Sequence, residues 1–186
     1  MIRLGIDTST EWLCLALHDA ESDRIVAASS IRAGRRHAAM IMPALTQLLA
    51  RAGIGTGQLT AIAAGTGPGS YTGLRVGLAT AGGLAAGLGV PVTGGDSLQA
   101  AAWPRLQPGE SAWLTLDARR GNVYAGLYRR EGSDLIRLAQ PAKLPLAELS
   151  EQAVSDGTPV LTAGAPSAAW LARTAGTGGP AEPSYL

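Results

Sequence analysis

The rhythm of apolar and polar positions changes twice along this chain. Residues 2–6 are an apolar run closed by Asp7, and residues 12–18 and 24–31 are two more short runs, with polar turns at 8–10 and 19–23. Closely spaced strands with short turns predict an antiparallel meander. The spacing then becomes helical. From His37 to Arg51 the apolar positions are Met40, Ile41, Ala44, Leu45, Leu48 and Leu49, a single stripe. Pro43 removes a backbone donor inside that stretch and predicts a kink or a late helix start, while Gly53 offers a stop.

A strand at 59–64, a glycine-rich loop at 65–77, a small-residue helix at 74–88, a short strand at 90–93 and a helix at 97–103 follow, with Asp96 as N-cap. Three antiparallel strands and then strand–helix alternation predict an α/β mixed sheet with helices on its faces, in the ribonuclease-H-like order. Residues 104–110 hold two prolines and a glycine and divide the chain into an N-terminal lobe, 1–103, and a smaller C-terminal lobe, 104–186. In the second lobe the pattern predicts strands at 112–116, 122–129, 135–139 and 160–163, and helices at 144–152 and 166–175. The first two strands join in a hairpin-like way through 118–121. The Gly/Pro-rich end, 176–186, is expected to be loosely held. No repeat of fixed period is found, and the similarity of the runs ending at Asp7 and Asp117 is too short to count as one.

Composition narrows the function classes. With 46% hydrophobic residues over 186 positions the chain is globular, and a net charge of +1 gives no whole-chain case for nucleic acid or membrane binding. The pairs Arg35–Arg36, Arg119–Arg120 and Arg129–Arg130 are scattered and read as solvated surface. Cys14 is the single cysteine, so no disulfide forms within the chain, a reducing compartment is expected, and its apolar run marks it as a small buried hydrophobe. No secretion signal opens the chain and the 74–88 run is too short to span a bilayer, so a cytoplasmic protein is expected.

Two places could carry chemistry. Asp7 could orient magnesium or water, with Thr8, Ser9 and Thr10 offering hydroxyls to a phosphate; the competing reading, favoured here, is a hydrogen-bonded turn after a buried strand. The loop with Gly67, Gly69 and Ser70 could cradle phosphate or act as a structural and docking joint. It lacks the Gly-Lys-Ser/Thr ending of a phosphate loop, lacks the acidic residue of a dinucleotide fingerprint, and loses one N–H at Pro68, which favours the joint. Arg75, early in a helix where its charge opposes the macrodipole, suggests an acidic partner such as Asp7, or simple solvation. His18, at a strand end, is expected to be exposed. His18 and His37 are the only histidines, too few for a metal centre or for the positioned base of a peptidase.

Gly5-Ile6-Asp7-Thr8-Ser9-Thr10, His37-Ala38-Ala39-Met40-Ile41-Met42-Pro43, the 67–77 loop, Asp117-Ala118-Arg119-Arg120-Gly121-Asn122-Val123-Tyr124 and the closing Pro183-Ser184-Tyr185-Leu186 stand in this order. Together they resemble the bacterial TsaB (YeaZ) family, densely over 1–130 and thinly to about 180. The resemblance implies the actin-like ATPase fold with a reduced second lobe. It also implies work on threonylcarbamoyladenosine, next to the anticodon of ANN-decoding tRNAs, as a non-catalytic partner of a TsaD-like catalytic subunit and a TsaE-like ATPase. No activity alone is expected, tRNA is met only through the complex, and the isolated chain is left open between a monomer and a homodimer. Weak ATP or ADP with magnesium within the complex is the only cofactor the resemblance allows. TsaD-type subunits resemble this one but hold metal through a His-x-x-x-His pair, which Ile41 breaks here. The family's interface of paired helices maps onto His37, Met40, Ile41, Ala44, Leu45 and Leu48 of the first helix and Ala79, Gly82, Gly83 and Ala86 of the second. The first stripe reads equally as core. The rival function is an independent ATPase or small kinase of the actin-like fold; a peptidase rests only on the family's old label.

Overall fold

The meander forms where the spacing places it. In the computed structural model, which describes residues 1–184, β1 (Ile2–Asp7), β2 (Trp12–Asp19) and β3 (Arg24–Arg32) pair antiparallel. Helix α1 (His37–Ala52) leads to β4 (Leu59–Gly65), α2 (Tyr71–Leu88), β5 (Val92–Gly95) and α3 (Ser97–Ala102). β4 lies parallel to β1 and β5 parallel to β4, giving the order β3-β2-β1-β4-β5. This is the ribonuclease-H-like arrangement.

The second half follows the same plan. β6 (Ser111–Asp117), β7 (Asn122–Glu131) and β8 (Asp134–Pro145) form a second meander; α4 (Leu146–Asp156) crosses to β9 (Val160–Thr162), parallel to β6, and α5 (Ala168–Thr174) follows. The order β8-β7-β6-β9 copies the first four strands of the other sheet. The repeat that the sequence hides is therefore one of topology, and Asp7 and Asp117 end equivalent strands.

The elements stack in layers. α1 and α2 cover one face of the first sheet through a core of Leu4, Ile6, Leu45 and Ile62. α3 and α5 lie between the sheets, with Ala100 and Leu171 against Ala61 and Ala63 of β4, and Leu98 and Ala102 against Leu114 and Tyr128. α4 closes the far face through Leu149 and Ala153 on Trp113 and Val123. Glycine is required at Gly5: a Cβ there would overlap the Ala168 carbonyl of α5. That contact brings the last helix onto the first strand.

Several expectations are corrected. α1 runs through Pro43 without a late start, because Pro43 and the Ala39 carbonyl it leaves unpaired both face solvent. Gly53 ends it in the left-handed conformation (φ 66°). β5 is displaced toward Gly95, and β8 runs to Pro145 rather than residue 139, an edge strand that tolerates Pro141. His18 is buried, not exposed, because β2 is an inner strand covered up to its end; its Nε2 meets Asp23 Oδ1 at 2.9 Å. The tail is tied down as far as residue 184: Gly94 N–H donates to the Gly179 carbonyl (2.8 Å) and Ser184 N–H to the Thr66 carbonyl (2.7 Å). Tyr185 and Leu186 of the closing motif lie outside the described residues.

Cys14 is fully buried, as its apolar run predicts. Burial, and then the Asp7 charge, push its thiol up to about 12. The native chain is expected to leave Ellman's reagent unreacted at mildly alkaline pH and to release one equivalent of thiol on unfolding in guanidinium. A native thiol reacting at the rate of a free cysteine would contradict this burial.

Candidate functional site

Asp7 ends β1 with no exposed surface. Its Oδ1 accepts from Ser9 N–H (2.8 Å) and Ser9 Oγ–H (2.6 Å), and its Oδ2 from Ser97 Oγ–H (2.7 Å). Burial holds its carboxyl above the ordinary aspartate value, outweighing the three hydrogen bonds. Thr8 Oγ donates to the Gly73 carbonyl at 2.7 Å, and the Ser9 carbonyl accepts Ser70 N–H at 2.6 Å. The turn at 7–9 is thus pressed into the glycine loop.

The loop's composition follows from that contact. Gly65, Gly69, Gly73 and Gly77 stand four apart, and each faces the turn. A Cβ would overlap Asp7 Oδ2 at Gly65, the Ser9 carbonyl at Gly69, the Thr8 carbonyl at Gly73 and Thr8 Oγ1 at Gly77. Gly67 has φ 104°, and its N–H donates to Ser97 Oγ at 3.2 Å. An actin-like fold implies a magnesium-bound nucleotide beside this first strand, and the residues do not fit it at Asp7. Both carboxylate oxygens are engaged, and the space over the glycines is filled by the chain's own turn.

Beside this joint opens a cleft of about 870 Å³ between the two sheets. Ser9, Thr10, Gly69 and Ser70 of the expected nucleotide set reach its wall; Asp7, Thr8 and Gly67 do not. The other wall is Asp117, Arg119 and Tyr124 from the β6–β7 hairpin, with Ala163 and Gly164 after β9. In the sequence Arg119 reads as solvated surface and Tyr124 carries only the resemblance; the signal that could have assigned this wall is Asp117, the counterpart of Asp7 at a strand end. Asp117 Oδ1 accepts Arg119 N–H at 2.8 Å, and Asn122 N–H closes the turn on the Arg119 carbonyl at 3.1 Å. Arg119, Arg120 and Gly121 all take positive φ (67°, 55° and 76°). A side chain pays roughly 1 kcal/mol for such a conformation, which glycine adopts freely.

The cleft walls are bolted together behind. Asp96 caps α3, accepting from Leu98 and Gln99 N–H, and reaches across to Tyr128 Oη (2.7 Å) and Arg137 Nη1 (3.4 Å) on the second sheet. Burial raises its carboxyl as well. Trp103 lies between two guanidinium groups, Arg130 at 4.3 Å and Arg173 at 5.5 Å from its ring centre.

The helix surface differs from the set mapped above. His37, Ile41, Ala44, Leu45 and Leu48 are buried in this chain's own core and Met40 packs against it, so the stripe is not a surface. The residues α1 shows to solvent include Ala38, Ala39, Met42 and Thr46. On α2, Ala79, Gly83 and Ala86 are exposed and Gly82 partly so, and nothing lies within 4 Å of a Cβ built at Gly82, Gly83 or Gly87. Arg75 pairs with Tyr71, not Asp7: its Nη1 donates to the Tyr71 hydroxyl at 3.1 Å and its guanidinium lies 5.4 Å from the ring centre. Among the described residues no cluster of His, Cys, Asp and Glu is placed to hold a metal, and no helix is long and apolar enough to cross a membrane.

A family described as TsaD, tRNA N6-adenosine threonylcarbamoyltransferase, matches residues 28–173. The tRNA threonylcarbamoyladenosine biosynthesis protein TsaB of Bacillus subtilis is 33% identical over 164 residues, covering 88% of this chain and 71% of that protein. The chain belongs to the TsaB family. TsaB proteins of Haemophilus influenzae and Escherichia coli are 39% and 36% identical over 131 residues. The match covers 69% of this chain and 54% and 55% of theirs, so the chain spans about half the length of these two relatives. The solved structure of YeaZ from Pseudomonas aeruginosa superposes with a TM-score of 0.83 at 27% identity, over 100% of this chain and 99% of that one. In this TsaB-family chain the cleft lies between the two mixed sheets, beside the joint that glycine spacing builds between the 7–9 turn and α2.

Proposed function

We infer that this chain is a non-catalytic subunit of the assembly that installs threonylcarbamoyl on tRNA adenosine, docking on a TsaD-type catalytic subunit through the exposed side of α2. The observation that carries this reading is the pairing of a sealed Asp7 turn with an open helix face. The place where the fold would do phosphate chemistry is filled by hydrogen bonds within the chain. The neighbouring helix shows solvent a stripe of Ala79, Gly83 and Ala86, over which a partner helix can approach closely. The names borne by the relatives supply the chemistry of the assembly. In this reading a TsaE-like ATPase turns over nucleotide, weakly held ATP or ADP with magnesium belongs to the complex, and the subunit works in the cytoplasm.

Co-expression with the TsaD-type subunit is expected to give a 1:1 complex by gel filtration with light scattering. Ala79→Arg should abolish it while leaving the melting temperature of the free chain unchanged, because the side chain points into open solvent. If the wild-type chain elutes alone, the reading fails; if Ala79→Arg still co-elutes, the face is wrong. Calorimetric titration with magnesium-ATP addresses the rival ATPase. Tight binding by the isolated chain, lost in Asp7→Asn, would favour that rival.

A further inference from the structure

Charge is divided unevenly along this chain. Residues 24–95 hold six arginines and no aspartate or glutamate, so all 14 acidic residues lie in the rest. Arg24 opens the edge strand β3, and Arg32 Nε is paired with Glu11 Oε2 at 2.9 Å. Arg35, Arg36, Arg51 and Arg75 are exposed, and none of them forms an ion pair among the described residues. They belong to α1, to α2 or to the turn that enters α1, and these two helices lie side by side on the outer face of the first sheet.

Arg75 stands on the part of α2 already described as open. Tyr71, Arg75, Ala79, Gly83 and Gly87 are four apart and all exposed, so they form one ridge of the helix. From Ala79 onward the ridge is bare, and nothing lies within 4 Å of a Cβ built at Gly83 or Gly87. At its N-terminal end the Arg75 side chain rises beside Tyr71, its Nη1 donating to the Tyr71 hydroxyl at 3.1 Å. A cation here opposes the helix macrodipole, and Arg35 and Arg36 do the same before α1. Neither helix has an acidic residue in its first turn. Local structure would favour the opposite charge at Arg35, Arg36 and Arg75, so the positive face is kept against that preference.

We propose that the α1–α2 face selects a helical protein partner whose contacting surface is rimmed with carboxylates, one of them received by Arg75 at the end of the bare ridge. The inference rests on docking through α2, as proposed above, and specifies the chemistry that the TsaD-type surface must carry. A second copy of this chain does not fit. A two-fold contact sets the same patch against itself, so arginines would meet arginines with no carboxylate between them. RNA does not fit the ridge either. From Ala79 onward it has no side chain beyond a methyl group, and so neither a hydrogen-bonding group nor an aromatic face for a base. A protein helix needs that bareness to come close, and the arginines give it a direction of approach.

The test is the kinetics of association of the full chain with the TsaD-type subunit, followed by biolayer interferometry across a range of salt. The association rate constant should fall about tenfold or more as salt rises from about 0.01 M to about 1 M, because the Debye length shrinks from about 30 Å to about 3 Å. Arg75→Glu should weaken the complex about tenfold or more. The free Arg75→Glu chain should melt no lower than the wild type, since an acid suits that end of the helix. Arg35→Glu should slow association at low salt and leave dissociation unchanged. Lys143→Glu makes the same change in net charge at an exposed position of β8, on the second sheet, and should match the wild type. The proposal is overturned if association is indifferent to salt, if Arg75→Glu binds as the wild type does, or if Lys143→Glu does equal damage. It is also overturned if RNA displaces the partner subunit, or if the isolated chain dimerises at low salt and Ala79→Arg abolishes the dimer. Where a 1:1 complex forms despite any of these results, the proposed function stands and only the selection by charge is lost; if no complex forms at any salt, both fall.

Discussion

Gly73→Ala is expected to lower the melting temperature of this chain sharply, while Gly83→Ala, ten residues further along the same helix, raises it. A methyl group at Gly73 would enter the Thr8 carbonyl, and backbone on both sides leaves no flexible end to move. The turn it strikes is itself fixed, by Asp7 below and by Ser70 N–H on the next carbonyl. Overpacking of this kind costs about 3 kcal/mol, or roughly 6–12 °C for a chain of this size. At Gly83 nothing lies within 4 Å of the new methyl. The change there removes only the excess freedom of glycine in a helix, a gain of about 0.5–1 kcal/mol. Circular dichroism melts of the two variants decide the matter. If Gly73→Ala melts with the wild type, the glycines are not there for the turn.

The second large effect is at Asp7. In Asp7→Ala the Ser9 N–H, the Ser9 hydroxyl and the Ser97 hydroxyl lose a shared acceptor inside a fully buried site. A loss of about 3 kcal/mol or more follows. Asp7→Asn should cost far less, because one amide oxygen can still accept from Ser9 and the amide NH₂ can donate to the Ser97 hydroxyl. The pH dependence has a definite sign. Burial raises the folded-state value of Asp7 above 3.8, so the folded chain holds this proton more tightly than the unfolded one. The contribution to stability is therefore complete below 3.8 and is lost as pH rises through the raised value. Asp7→Asn has no proton to lose, so the advantage of the wild type in denaturant melts should be largest in acid and shrink toward neutral pH. Asp19 acts oppositely, lowered to about 2 by hydrogen bonds led by Ser22, but it is common to both proteins and cancels. An advantage that grows with pH would mean Asp7 is stabilised as the anion.

Local signals were legible where one element decides them. Asp96 as a cap, Gly53 as a stop, and the strand ends at Asp7 and Asp117 follow from side chains acting on their own backbone. The preference for a hydrogen-bonded turn over a magnesium site at Asp7 also agrees with its contacts. What stayed hidden depends on a distant element. His18 is covered because its strand lies inside the sheet, Arg75 meets Tyr71 because Asp7 is under the loop, and the tail finds Gly94 of β5 through Gly179 and Thr66 after β4 through Ser184, both far earlier in the chain. The four-residue beat of glycines in the loop was visible in the sequence, but its meaning needed the turn that fills it. The helix stripe on α1 was ambiguous for a different reason: core and interface share one composition, and only the sheet beneath it separates them.

The seat of α5 has a consequence for how the chain is made. Gly5 and its neighbours on β1 wait for Ala168 and Ala172, so one face of the first sheet has no cover while the chain is emerging from the ribosome. The amino-terminal sheet can gather its meander and its two outer helices early, yet the inner face of β1 and β2 stays open until α5 has been synthesised. Nascent chains stalled before residue 168 should therefore be better clients for a chaperone than those long enough for residues 168–174 to have left the ribosome.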